Sequence, residues 1–68
     1  MRNTLKVERA KQNMTQAELA EKVGVSRQTI NSIEIGKYVP STLLSLKIAD
    51  VFKTRVDEIF FLEEKDWS

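Results

Sequence analysis

Apolar residues recur at helical spacing along most of the chain, and the pattern is interrupted at Gly24, Gly36 and Pro40. Spacings of three and four residues place side chains on one face of a helix, so each interval predicts a short amphipathic helix. The pattern as a whole predicts an all-α fold of five helices. In the first helix, from about Leu5 to Gln12, the expected apolar stripe is Val7, Ala10 and Met14.

The second and third helices are separated by a very short turn, and each carries its own start signal. Thr15 begins a capping box with a carboxylate three residues later, and Gly24 can adopt the left-handed conformation that ends a helix. Ser26 is a suitable N-cap for the third helix. Ala20 is small enough for the two axes to approach closely. Together these residues predict a helix-turn-helix over about residues 15–36, crossed at roughly 90–120°.

A fourth helix is expected after Ser41, and a short fifth helix after it. The buried face of the fourth consists of Ser45, Ile48, Ala49 and Phe52. For the fifth helix the start signal is a capping box formed by Thr54 and Asp57.

The C-terminal tail, residues 60–68, loses the helical period but keeps large apolar side chains at Phe61, Leu62 and Trp67. They exceed what a core of this size easily covers. Three arrangements stay open: a strand paired with residues 1–5, a tail packed on its own domain, or a contact with a second subunit. We expect the third of these, a dimer interface formed by the tail, with short terminal strands as an option at that interface.

Composition narrows the possible functions. With 68 residues the chain is expected to form one domain, residues 1–68, and it contains neither cysteine nor histidine. That excludes disulfides, zinc sites and the common nucleophile systems, so no metal, cofactor or enzyme activity is expected. No small-molecule ligand is evident. There is no signal peptide and no apolar run near the ~20 residues that span a membrane, so a cytoplasmic location is expected.

Charge is unevenly distributed along the chain. The net charge is only +1, but residues 1–40 contain seven basic and four acidic residues, whereas residues 41–68 contain four and six. The N-terminal part could therefore face phosphates. The third helix strengthens this interpretation, because no acidic residue occurs from Val25 to Ile33. Its outward residues are of types that contact base edges in the major groove: Arg27, Gln28, Thr29, Asn31 and Ser32.

These residues carry a family resemblance. The stretch from Met14 to Glu34 resembles the helix-turn-helix of the lambda-repressor-like family, also called Xre or Cro/cI. Residues 36–41 and 46–49 are similar to the segments that follow in that family. The stretch from Asp57 to Phe60 resembles the short stand-alone repressors of the cytolysin-regulator type, which are homodimers.

The resemblance implies a role for each matching residue. Gln16 would contact phosphate and brace the third helix, and Lys37 and Tyr38 would bind the DNA backbone. Arg9 and Glu34 would form a structural ion pair. The DNA-binding set implied in this way is Gln16, Ser26, Arg27, Gln28, Thr29, Asn31, Ser32, Lys37 and Tyr38.

The sequence thus predicts a regulator of transcription, specifically a repressor that binds double-stranded DNA. One recognition helix spans too few base pairs for useful specificity, so we expect a homodimer on an inverted repeat. The alternative is an antitoxin or another protein-interaction module whose DNA binding is secondary. A stoichiometric small toxin recovered with the chain would favour that alternative.

Overall fold

The computed structural model describes all 68 residues and shows a mostly helical protein whose two ends meet in a small sheet. Two 3-10 turns follow the helices, at Val56–Glu58 and Glu64–Trp67. The regular elements are β1 (Arg2–Asn3), α1 (Leu5–Lys11), α2 (Gln16–Val23), α3 (Arg27–Glu34), α4 (Thr42–Val51) and β2 (Phe60–Phe61).

The helices begin where a side chain can accept hydrogen bonds from their free amides. Thr15, Ser26 and Ser41 each accept from the amide three residues later, at 3.0, 3.1 and 3.1 Å respectively. The capping box at the start of α2 is complete, because Glu18 also accepts from the Thr15 amide at 2.8 Å. In α1 the equivalent acceptor is Asn3, whose Oδ1 binds the Leu5 amide at 3.1 Å.

The predicted short fifth helix is not an α-helix. A single 3-10 turn, Val56–Glu58, replaces it, and the capping box expected from Thr54 and Asp57 does not form. The residue before the turn is Arg55, so Asp57 is second in the turn rather than third, and its carboxylate accepts from Arg55 at 2.8 Å instead. The fold therefore has four α-helices.

Twelve apolar side chains form the core, drawn from every α-helix and from the chain after α4. The expected face of α4 is buried, but of the expected stripe of α1 only Met14 packs against the core. Val7 is 53% exposed and Ala10 is exposed as well, whereas Leu5 is fully buried. Arg9 lies one turn after Leu5 and also faces inward, with its side chain 13% exposed. The inward face of α1 thus contains a charged residue, which a search for apolar periodicity cannot identify.

β1 and β2 pair in antiparallel fashion, with Arg2 opposite Phe61 and Asn3 opposite Phe60. The start of the tail therefore forms a strand with the N-terminal residues of its own chain. The guanidinium of Arg2 lies 5.0 Å from the centre of the Phe61 ring, which is cation–π distance. No helix has the length and apolar character required to cross a lipid bilayer.

Candidate nucleic-acid interface

The turn between α2 and α3 is fixed by backbone conformation. Gly24 has φ +78°, where any other residue would be strained, and its amide donates to the Ala20 carbonyl at 2.9 Å. Ala20 is 3% exposed, and Ile30 and Ile33 of α3 are buried beside it. The small residue, the left-handed glycine and the buried isoleucines hold α2 and α3 against each other.

The side of α3 away from the core carries the residues expected to contact bases. Arg27 and Gln28 are exposed, and Thr29, Asn31 and Ser32 are half-buried. No carboxylate occurs on α3 before Glu34 at its last position. This surface is polar and free of negative charge along its first two turns, as binding to an anionic ligand requires.

Ser26 and Thr29 are engaged with each other at the start of α3. Ser26 Oγ accepts from the Thr29 amide at 3.1 Å and lies 2.9 Å from the Thr29 hydroxyl. Ser26 therefore caps the helix, and its hydroxyl shares one hydrogen bond with the hydroxyl of Thr29. The Thr29 methyl group takes no part in these bonds.

Gln16 connects the first turn of α2 to α3 through three hydrogen bonds. Its Nε2 donates to Asn31 Oδ1 at 3.1 Å and to Glu34 Oε1 at 3.0 Å. Its Oε1 accepts from Arg27 Nη1 at 3.3 Å. The brace expected of Gln16 is therefore present in the structure, and it also orients the guanidinium of Arg27.

Arg9 and Glu34 form an ion pair in which Arg9 Nε and Nη2 donate to separate carboxylate oxygens, the second at 3.0 Å. Arg9 Nη1 also donates to the Met14 carbonyl at 2.8 Å. The two side chains are only 13% and 5% exposed. Burial alone would raise the pKa of Glu34, but hydrogen bonds from Arg9 and Gln16 outweigh it and lower that pKa below its usual value. Glu34 is therefore a paired carboxylate.

The loop after α3 folds back against that helix. Gly36 has φ +81°, and the next two amides, those of Lys37 and Tyr38, both donate to the Ser32 carbonyl, at 2.9 and 3.2 Å. Lys37 and Tyr38 are exposed. The structure thus brings the two residues expected to bind the DNA backbone alongside the exposed face of α3.

Lys47 is a further basic residue that our sequence reasoning did not select. It lies on α4, is exposed, and lines the same groove as Tyr38 and Ser41. It belongs to the more acidic half of the chain, and nothing in the pattern of α4 distinguishes it. Lys47 lies near the candidate interface because the loop after α3 places Tyr38 in the same groove.

The three apolar tail residues have different surroundings. Phe61 is half-buried in the sheet, whereas Leu62 is 62% and Trp67 78% exposed. The tail is held by the N-terminal amine, which lies 3.0 Å from Glu63 Oε1 and 3.1 Å from Asp66 Oδ1. Those contacts raise the pKa of the amine and lower the pKa of Glu63. The pKa of Asp66 is lowered first by the hydrogen bond that it accepts from the Glu63 amide and then by the amine.

A second apolar surface lies around α4. Val39 is 59% and Leu46 55% exposed. Both residues line a shallow groove with Pro40, Val56, Phe60 and Met1. The sequence pattern did not indicate this surface.

Two helices joined by a glycine turn, with an acid-free polar face on the second, define a helix-turn-helix DNA-binding protein. The profile of the helix-turn-helix family matches residues 5–59. The chain belongs to this family, in its Xre/lambda-repressor type, and is a DNA-binding regulator of transcription.

Relatives and a solved structure agree with this assignment. An uncharacterised HTH-type transcriptional regulator of Methanocaldococcus jannaschii is 52% identical over 66 residues, covering 97% of this chain and 100% of the relative. One from Bacillus subtilis is 47% identical with the same coverage. The SOS-response transcriptional repressor LexA of Eubacterium rectale superimposes with a TM-score of 0.75 at 33% identity, over 79% of this chain and 57% of that chain.

Proposed function

We propose that the protein is a sequence-specific transcriptional repressor that binds an inverted-repeat operator as a homodimer. The observation that carries this proposal is the exposed, acid-free face at the start of α3, with Arg27 and Gln28 foremost. Arg pairs bidentately with guanine and Gln with adenine in the major groove.

Base contacts are assigned along α3 according to exposure. Arg27 and Gln28 enter the groove, with Thr29 beside them and Asn31 and Ser32 at its edge. Ser26 and Thr29 also fix the start of the helix through their shared hydrogen bonds, so that the reading residues have a defined position.

Backbone contacts are assigned to both sides of this face. Gln16 lies at the N-terminus of α2, where its backbone amide and the helix dipole favour a phosphate, while its side-chain Nε2 donates to Asn31 and Glu34. Lys37 and Tyr38 lie on the other side in the loop after α3, and we add Lys47 next to Tyr38. Phosphate contacts at both ends of the recognition helix would fix its depth and orientation in the groove.

A homodimer follows from the size of the reading surface. One recognition helix covers roughly 4–5 base pairs, and two related by a two-fold axis bind half-sites about 34 Å apart. Repression is the outcome we propose, because occupying an operator requires only the DNA-binding surface described above.

Selection of bound sites from random DNA tests this function. We expect an inverted repeat whose half-sites are centred about one helical turn, 10–10.5 base pairs, apart. A single asymmetric half-site would contradict the dimer, and the absence of any enriched sequence would contradict sequence-specific recognition itself.

For the dimer interface we propose the tail, with Phe61, Leu62 and Trp67. Leu62 and Trp67 are the residues to test, because Phe61 is tied into the sheet of its own chain. The double variant Leu62→Glu, Trp67→Glu is expected to sediment as a monomer in analytical ultracentrifugation, whereas the unmodified chain sediments as a dimer.

Point variants are preferable here to a deletion, which would remove β2. The matched comparison is Leu46→Glu on the groove around α4, which is the other exposed apolar surface. A dimer that survives the tail substitutions and dissociates with Leu46→Glu would contradict the tail assignment and place the interface on α4.

A further inference from the structure

The terminal sheet and the C-terminal end of α3 face each other across a polar groove. Its lining comes from β1, from the loop after α3 and from the tail, and includes Arg2, Asn3, Ile35, Gly36, Glu63 and Lys65. Away from this groove, α3 packs chiefly on α2, and the sheet packs chiefly on the turn Val56–Glu58. The sheet and the recognition helix therefore have few direct contacts, and each such contact matters for their relative position.

Asn3 is the residue that crosses the groove. Its Nδ2 donates to the Ile33 carbonyl at 2.9 Å, and its Oδ1 accepts from the Leu5 amide at 3.1 Å. The backbone of Asn3 lies opposite Phe60 in the sheet. No other hydrogen bond joins the sheet or the tail to α3 or to the loop after α3. One half-buried side chain thus links the sheet, the start of α1 and the end of α3.

The two ends of the Asn3 amide are not interchangeable. Turning the amide over would place oxygen against the Ile33 carbonyl and nitrogen against the Leu5 amide, so both hydrogen bonds would be lost. The Ile33 carbonyl is among the last four of α3, which have no partner within the helix, and it also accepts from the Gly36 amide at 3.0 Å. Asn3 therefore fixes the point at which α3 ends and the following loop begins.

We propose that Asn3 is a positioning residue that holds α3 in place against the terminal sheet and thereby determines which half-site spacing the dimer accepts. The proposal rests on the proposed function, in which the tail after β2 forms the dimer interface and α3 reads the bases. The two recognition helices are then placed relative to each other through the two sheets. One base pair more or fewer between half-sites shifts them by about 3.4 Å and about 34°, so a rigid link rejects such operators.

Asn3→Asp tests the proposal, because it keeps the oxygen that accepts from the Leu5 amide and replaces the donor to Ile33 with a second oxygen. Affinity is measured by fluorescence anisotropy at fixed salt for the selected operator, for operators with one base pair inserted or removed between half-sites, and for a single half-site. The unmodified protein should bind the altered operators at least about tenfold more weakly. In Asn3→Asp this preference should shrink about fivefold, the equivalent of one hydrogen bond, while single half-site affinity stays within about twofold.

Thr4→Ala is the matched control. Thr4 is next to Asn3 and its hydroxyl donates to the Glu58 carbonyl at 3.5 Å, but it makes no hydrogen bond to α3, so the preference for spacing should not change. Should Asn3→Asp fold poorly, Asn3→Ser provides a second variant. Its uncharged hydroxyl can accept from the Leu5 amide and is too short to reach Ile33, so it should show the same loss of spacing preference.

Three results would overturn the proposal while leaving the proposed function intact. One is a spacing preference that neither Asn3 variant alters. Another is an equal loss of affinity for every duplex, because a general loss of stability weakens all binding alike. The third is a change as large in Thr4→Ala. Failure of the proposed function would be recognised in the unmodified protein, as equal affinity for all spacings and for the single half-site.

Discussion

Alanine at Arg27 or at Gln28 is expected to weaken binding to the selected operator by about 1–3 kcal/mol per half-site, which is about 5- to 150-fold. Each substitution removes a side chain that can make a bidentate contact to one base, and each should relax preference at one position of the half-site. Arg27 should show the larger effect, because Gln16 already orients its guanidinium at 3.3 Å and less entropy is lost on binding.

Affinity for the operator and for each single-base variant, measured by competition, provides the test. Arg55→Ala and Gln12→Ala are the matched controls, since both residues are exposed and neither is on α2, α3 or the loop after α3. Lys37→Ala gives the contrasting pattern: it should weaken all DNA about equally and reduce the slope of log affinity against log salt by about one. If Arg27→Ala and Gln28→Ala left base preference unchanged, the reading face would be assigned incorrectly.

The parts of the fold that were predicted correctly depend on local signals. Thr15, Ser26 and Ser41 were identified as N-caps, and Gly24 as a left-handed helix stop, because each acts on amides within three or four residues. The buried face of α4 is also a local periodicity. Such features need no knowledge of which helices are neighbours in the folded chain.

The errors arose where distant residues decide the structure. The inward face of α1 is set by Leu5 and by the pairing of Arg9 with a residue 25 positions later, so apolar spacing selected Val7 wrongly. Asn3 connects the start of α1 to the Ile33 carbonyl at 2.9 Å, a contact that no local pattern indicates. The capping box expected at Thr54 does not form, because the Thr54 amide already donates to the Ala49 carbonyl at the end of α4.

The same distinction between local signals and contacts of distant residues applies to the candidate site. The residue types on α3 could be recognised from the sequence, because adjacent positions on one helix share a surface. The partners of Gln16, the engaged Thr29 hydroxyl and the position of Lys47 depend on how α2, α4 and the loop pack around α3. The chemistry of the surface was therefore predictable, whereas its preorganisation was not.

Arg9→Met is expected to reduce the free energy of unfolding by about 3–5 kcal/mol, the usual effect of removing one partner of a buried ion pair. The methionine keeps the apolar stem but leaves the Glu34 carboxylate, 5% exposed, with Gln16 as its only side-chain partner. A chain of 68 residues has only about 3–10 kcal/mol in total. Urea denaturation followed by circular dichroism at 25 °C should show a large fall in the unfolding midpoint, since the loss is about a third or more of that total.

Arg55→Ala is the matched control for this substitution, because Arg55 also pairs with a carboxylate, Asp57, but the two side chains are 76% and 66% exposed. Arg55→Ala should reduce the free energy of unfolding by less than about 1 kcal/mol. Should Arg9→Met fail to fold altogether, Glu34→Gln provides a second measurement, since a neutral amide can still accept one hydrogen bond from Arg9 and the charge left unpaired is that of the more exposed partner, Arg9. The loss of unfolding free energy in Glu34→Gln should lie between the losses in Arg55→Ala and Arg9→Met.

The pH dependence separates a lost ion pair from a simple loss of packing. In the unmodified protein the pKa of Glu34 is lowered in the folded state, so its stabilising contribution is complete above the unfolded value of about 4.3 and is lost as pH falls through the folded pKa. In Arg9→Met, burial without the arginine should raise the Glu34 pKa above that value, so protonation would relieve the unpaired charge. The difference in unfolding free energy between the two proteins should therefore be largest at neutral pH and narrow below about pH 5. A difference that stays constant from pH 7 to pH 4 would mean that Arg9 acts through packing alone and that Glu34 does not depend on it for its charge.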